Sequence, residues 1–231
     1  MTSTPAAVPE TSRPPGRGRF VTFEGGEGAG KSSQIAHLAE RLRGRGIDVV
    51  TTREPGGSRG AECVRHVLLS GAAEVFGPLA EACLFAAARA DHVDRTIRPA
   101  LARGAWVLSD RFYDSSRVYQ GDGGVGPEML RLLEEVAVEE VRPDLTLLLD
   151  VPADIGLARA GARRGVGDAD RFEKEDVDVH ERRRRAFLDL AAREPWRFAV
   201  IDATATPPEV AAAIWRAVAN RLGLPAAREA E

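Results

Sequence analysis

Gly25-Gly26-Glu27-Gly28-Ala29-Gly30-Lys31-Ser32 is the stretch on which the reading of this chain turns. Its spacing is G-x-x-x-x-G-K-[ST]. Glycines there let the backbone bend tightly and aim successive N–H groups at phosphate oxygens. A helix following the loop adds its unpaired N–H groups and the positive end of its dipole. Lys31 brings a compact charge to β- and γ-phosphates, and the Ser32 hydroxyl can ligate Mg²⁺. Ser33 completes the nucleotide-binding set. The flanks suit the motif. Phe20-Val21-Thr22-Phe23 reads as a strand, and Ile35, Leu38, Ala39 and Leu42 form a helical apolar stripe. Lys31 and Lys174 are the only lysines among 32 basic residues, so a lysine stands where a point charge is wanted rather than a planar fork.

Working outward, the 231 residues fit one domain, and 44% hydrophobic residues suffice for a sizeable core. The net charge of −3 gives no global basic field and argues against a nucleic-acid partner. Nothing approaches the ~20 apolar residues of a membrane span. Residues 1–18 are proline-rich without an apolar run and read as a disordered tail, and 223–231 as a second one. Two cysteines, Cys63 and Cys83, make no disulfide framework; both read as helix-packing residues. The expected compartment is the cytoplasm.

Between these tails, 19–222 reads as strands alternating with helices. Strands are expected at 47–52, 106–109, 145–149 and 198–201. Helices are expected at 59–69, 127–141, 153–160 and 176–193, with a final helix opened by the capping box Thr206–Glu209. A long helix from Pro78 to about Arg103 is expected from the stripe Leu79, Ala82, Ala86, Ala90, Val93, Ile97 and Leu101, with Pro99 bending its end. The alternation implies an α/β three-layer sandwich, a five-stranded parallel sheet with helices on both faces. Ligands of such sheets bind beyond the carboxyl ends of the strands, where the polar clusters at 24–32, 53–57, 109–111, 150 and 202 all fall.

Three further stretches give the loop a context. They are Arg53-Glu54-Pro55-Gly56-Gly57, Phe85-Ala86-Ala87-Ala88-Arg89, and the run from Asp110-Arg111-Phe112-Tyr113 to Tyr119-Gln120-Gly121. With Glu24-Gly-Gly-Glu27 ahead of the loop, their order resembles the thymidylate kinase family, phosphate-loop kinases that make dTDP from dTMP. The resemblance runs from about Arg19 to Leu222. It implies ATP and dTMP as substrates, Mg²⁺ as cofactor, a homodimer and a small lid at about 159–175. It implies that Arg111 and Arg53 hold the acceptor phosphate and that Asp110 lies near the metal. Phe85 would stack on thymine and Arg89 contact its O4. Ser116, Tyr119 and Gln120 would read the sugar and the base edge, and Glu27 would face the 3′-hydroxyl. It also implies a cis Glu54–Pro55 bond. The loop's variable positions hold no arginine, so the catalytic arginine is expected in the lid. Arg159 and Arg163 are the first candidates, with Arg171 and Arg164 behind them. This lid departs from the Arg-x-Arg-x-Arg-Gly pattern, reading Arg159-Ala-Gly-Ala-Arg163-Arg164-Gly165 with an insertion at 166–169.

From the residues alone, plainer readings stand beside these. Arg111 could pair structurally with Asp110, Arg53 and Glu27 could be solvated, and Phe85 could be core. Arg182-Arg183-Arg184-Arg185 reads as a solvated helical stretch, and the four histidines as structural. Other readings of the whole chain are a different nucleotide or deoxynucleoside kinase, an ATPase acting on nucleic acid, or a nucleotide-binding module without catalysis.

Overall fold

The computed structural model describes residues 16–164 and 175–224; the tip of the expected lid and most of both expected tails lie outside them. Five strands form one sheet: β1 (Phe20–Glu24), β2 (Val49–Arg53), β3 (Trp106–Asp110), β4 (Leu145–Asp150) and β5 (Phe198–Asp202). Every pairing is parallel and the order is β2-β3-β1-β4-β5.

The middle strands are apolar on both sides because both sides are covered. Val21, Phe23, Leu108, Leu145, Leu147 and Leu149 face α1 (Lys31–Arg43) and α9 (Pro207–Leu222), meeting Ile35, Leu38, Leu42, Ile214 and Val218. Phe20 and Val107 point the other way. They pack on α3 (Gly77–His92), α4 (Arg98–Ala102) and α6 (Pro127–Val138) through Ala86, Leu101 and Val138, and on Ile97 between α3 and α4. Leu148 and Phe198 complete that layer with Phe187 of α8 (Val177–Arg193). The Glu209 carboxylate accepts the Thr206 N–H at 3.0 Å, so the capping box opens α9 as expected.

Three features differ from the sequence reading. The long helix is not uniform. Between α3 and α4, residues Val93–Ile97 widen into a π-helical stretch. Pro99 lacks an N–H and its ring crowds the carbonyl four residues back, so the distortion falls ahead of the proline. The segment after β3, which shows no apolar stripe, is helical: α5 spans Tyr113–Asp122. It follows that Arg111 occupies a tight strand-to-helix turn, with φ at 71°, a left-handed conformation uncommon for a side chain of this size. Cys63, on α2 (Arg59–Leu69), and Cys83, on α3, are exposed rather than packed.

What positions the site is the sheet's register. Phe23 and Arg53 both stand opposite Asp110, on either side of β3. The carboxyl ends of β1, β2 and β3 therefore finish at one level, and the loops leaving them meet over one crevice.

Candidate active site

The phosphate end grows out of β1. Gly30 caps α1 at φ 88°, and Gly28, at φ 69°, passes so close to α7 (Ala153–Arg164) that a Cβ would stand 1.8 Å from the Gly156 carbonyl oxygen. Only glycine fits that approach. Lys31 folds back over the loop, its Nζ donating to the carbonyls of Gly25 and Gly26 at 2.9 Å each. Burial, with Arg111 nearby, lowers its pKa despite three carboxylates around it. A buried ammonium whose hydrogen bonds go only to carbonyls has no carboxylate bonded to it and is chemically suited to meet an anion.

Ser32 Oγ donates to Asp110 Oδ2 at 2.8 Å. Two hard oxygen donors at the helix start suit Mg²⁺, which keeps waters and takes its remaining ligands from phosphate. Among the described residues, no cluster of three or more His, Cys, Asp or Glu offers an alternative metal site.

Arg111 does not pair with Asp110. Its guanidinium meets the Glu27 carboxylate and donates to Ser115 Oγ at 3.1 Å and the Gly25 carbonyl at 3.3 Å. Burial opposes the Glu27 charge, yet Arg111 and Lys31 outweigh it and hold the carboxyl down to about 2. Glu27 is thus an ionised acceptor at the boundary between the two ends. The Tyr119 hydroxyl lies 3.5 Å from it, and the Tyr119 ring lies 5.0 Å from the Arg111 guanidinium. Burial pushes that phenol up to about 12, so it stays a donor.

A cavity of about 250 Å³ runs from this loop to α3 and α5. Glu27, Gly28, Ala29, Gly30, Lys31 and Ser32 form one end, with Asp110 and Arg111 beside them. Phe85, Arg89, Ser116, Tyr119 and Gln120 form the other, and Arg53 enters from β2. Gly25, Gly26 and Ser33 are in the loop and first turn but do not line it. Phe85 and Arg89, four apart on α3, reach the same cavity, as one helix face requires. Gln120 donates to Glu81 at 3.1 Å, and Arg53 holds Glu62 with both contacts near 3 Å.

Arg159 lies on α7 away from the cavity lining, donating to the carbonyls of Ala203 at 2.6 Å and Thr204 at 3.1 Å. Arg163 lies in the last turn of the same helix; its side chain, that of Arg164, and Arg171 lie outside the described residues.

Sequence reasoning passed over several residues. Glu24 is buried and accepts from the Phe112 N–H at 2.8 Å and Ser115 Oγ at 2.7 Å, bracing the turn that carries Arg111. Burial, with Asp114 nearby, raises it to about 7. Arg183 is buried, paired with Glu175 and stacked 4.5 Å from the Tyr119 ring, so the arginine run is not merely a solvated stretch. The Glu54–Pro55 bond is cis, as the resemblance implied; Arg65, which sequence reading did not single out, donates to the Pro55 carbonyl at 2.6 Å. An acid closing the apolar run Phe20–Phe23 just ahead of the glycine loop was the one signal for Glu24; Arg183 and Arg65 carried none.

A glycine-rich turn with a buried lysine at one end of the cavity and Phe85 with Arg89 at the other suit a protein that brings two nucleotides together, a phosphate-loop nucleotide kinase. Comparison with known proteins narrows this class. The family model described as thymidylate kinase matches residues 23–214. A thymidylate kinase of Bradyrhizobium sp. (strain ORS 278) is 57% identical over 211 residues, 91% of this chain and 93% of that protein. Those of Rhodopseudomonas palustris (strain TIE-1) and Nitrobacter hamburgensis are 57% and 55% identical, covering 91% and 89% of this chain and 92% and 90% of their own. The chain belongs to the thymidylate kinase family, whose reaction passes the γ-phosphoryl of ATP to dTMP, giving dTDP and ADP.

Proposed function

We propose that this chain carries out that transfer across the single cavity between Lys31 and Arg89. The observation that carries the reading is the continuity of the cavity: phosphate-loop residues and the Phe85–Arg89 pair line the same space. ATP lays its phosphates along Gly25–Ser33, with Lys31 on the β- and γ-oxygens. Arg111 and Arg53 grip the acceptor phosphate as planar forks. Phe85 stacks the thymine, and Arg89 with Gln120 and Ser116 reads its edge. Glu27 faces the sugar hydroxyl and Tyr119 closes against C2′, disfavouring ribose.

The acceptor phosphate is already anionic, so no base is needed. The protein's part is alignment and neutralisation of charge. Ser32 and Asp110 would hold Mg²⁺, which supplies Lewis-acid neutralisation at the phosphates when bound. Arg159 or Arg163 adds a positive charge to the transferring group. The protein works in the cytoplasm without nucleic-acid or membrane partners. Among the described residues no single helix is long and apolar enough to cross a membrane. It acts as a homodimer; exposed Leu79, Leu132 and Val136 on the mutually packed α3 and α6 support this, and light scattering in solution tests it.

The deciding experiment is ADP release with ATP-Mg²⁺ across a panel of nucleoside monophosphates. dTMP gives the highest kcat/KM. A purine monophosphate ahead of dTMP overturns the reading.

A further inference from the structure

His92 has no place in the reaction just described, yet it is fully buried and bonded through both ring nitrogens. Its Nε2 lies 2.7 Å from Thr52 Oγ1 on β2. Its Nδ1 lies 3.0 Å from Glu54 Oε1, in the loop carrying the cis proline. The other oxygen of that carboxylate, Oε2, accepts from Arg89 Nε at 2.7 Å. Arg89 Nη2 then donates to Ser116 Oγ at 3.0 Å and the Phe112 carbonyl at 3.3 Å. The result is one continuous chain: Thr52, His92, Glu54, Arg89, Ser116. It joins β2, α3 and α5 beneath the base end of the cavity. The loop is fitted to it, since a Cβ on Gly57 would stand 2.5 Å from His92 Nε2.

The geometry has a consequence for Arg89. A carboxylate free to turn takes a guanidinium through two parallel bonds. Here Oε1 is held by the histidine, so Glu54 meets Arg89 through Nε alone. Nη2 is taken by α5, and Nη1 makes no hydrogen bond among the described residues, although Arg89 lines the cavity. Burial works against the Glu54 charge, but Arg89 and His92 keep its pKa low, so the buried cation keeps an ionised partner. An ionised carboxylate can only accept, so His92 Nδ1 is the donor to Glu54, and the Thr52 hydroxyl meets Nε2 on the other side of the ring.

We propose that His92 is a positioning residue for acceptor recognition: acting through Glu54, it holds Arg89 with Nη1 left over for the pyrimidine edge. This rests on the reading of Arg89 as the base contact. Asparagine places a donor where Nδ1 stands, and glutamine places one near Nε2, so the two variants separate the bond that matters. Steady-state kinetics with dTMP, dCMP and ATP, below the melting temperature of each variant, provide the test. His92→Gln raises the KM for dTMP about tenfold and narrows the preference for dTMP over dCMP. Its KM for ATP and its kcat at saturation stay within twofold. His92→Asn restores the KM for dTMP to within about threefold of the native chain. If the histidine variants do not fold, Thr52→Val reads the outer end of the chain, with a smaller rise of two- to threefold in the same constant alone.

A lowered melting temperature with an unchanged KM for dTMP overturns the proposal, as does equal loss for both substrates or equal behaviour of His92→Asn and His92→Gln. Arg89→Ala separates the two levels of the argument. If it leaves the KM for dTMP and the dCMP discrimination unchanged, the reading of Arg89 fails. If it raises that KM while His92→Gln and Thr52→Val do not, only the positioning role fails.

Discussion

The two ends of the cavity are built in opposite ways. The proposed phosphate end is largely local: residues 25–33 supply its turn, lysine, hydroxyl and helix terminus, and Arg53, Asp110 and Arg111 reach it from the ends of neighbouring strands. The base end is assembled from α3, α5 and the loop after β2, joined by buried polar side chains far apart in sequence, such as Arg89–Glu54 and Gln120–Glu81. Backbone donors do not depend on a rotamer, so a phosphate site can be written in one motif. A site that reads a base edge needs side-chain donors at fixed positions, and each needs a further partner to hold it.

This contrast predicts that substitutions at the phosphate end change the chemical step, whereas those at the base end change acceptor binding. The largest effect belongs to the arginine that neutralises the transferring group, a contribution of about 10³–10⁵ in related enzymes. Alanine at Arg159 or at Arg163 lowers single-turnover transfer at saturating ATP and dTMP at least ~100-fold, with little change in dTMP binding. Failure of both leaves the charge unassigned and breaks the claim that α7 supplies it. Next comes Lys31→Ala. Loss of one preorganised charge lowers kcat by on the order of 10²–10³. Circular dichroism of this variant should match the native chain, because Lys31 bonds only loop carbonyls. Near-native turnover would show that the loop is not the donor site.

The same contrast sets what could be read from the sequence. The sheet was legible because Leu145–Leu149 and Phe20–Phe23 are buried on both faces and carry no competing signal. The phosphate loop was legible because its chemistry is contiguous. Helix α5 was not: it turns polar Asp114 and Gln120 inward, toward Arg197 and Glu81, so the helical period of hydrophobicity is erased. Phe85 and Arg89 drew meaning from family resemblance rather than spacing. His92 looked inert because its partners, Thr52 and Glu54, lie 40 and 38 residues away. Functional polar networks replace the pattern that sequence reading depends on.

A smaller effect sharpens the boundary between the ends. Tyr119 touches both, through Glu27 and through the cavity wall. Tyr119→Ala lowers the preference for dTMP over its ribose counterpart by about tenfold, about 1.4 kcal/mol, measured as a ratio of kcat/KM values. An unchanged ratio places sugar reading elsewhere.

The last effect is on stability rather than on turnover, and it compares two acids three residues apart. Glu24 is raised from 4.5 to about 7 and Glu27 lowered from 4.5 to about 2. The signs are opposite. A raised carboxyl contributes stability that is fully present below 4.5 and lost as pH rises through 7, because the folded chain holds a proton that the unfolded chain has released. A lowered one contributes stability that is present above 4.5 and lost as pH falls through 2. Glu24→Gln isolates the first. Glutamine stays neutral, its carbonyl can take the Phe112 N–H, and the Ser115 hydroxyl can turn to accept from its amide. Near pH 5 native Glu24 is still neutral in the folded chain, so the two melting temperatures differ less there than at higher pH. By pH 8 the native chain carries a buried charge that the variant lacks. The melting temperature of the variant should therefore gain on the native value between pH 5 and 8, by roughly 2–4 °C for each kcal/mol recovered. Parallel melting curves across that window would mean that Arg111 fully compensates the Glu24 charge. The turn would then be braced by an ion pair rather than by a neutral acid.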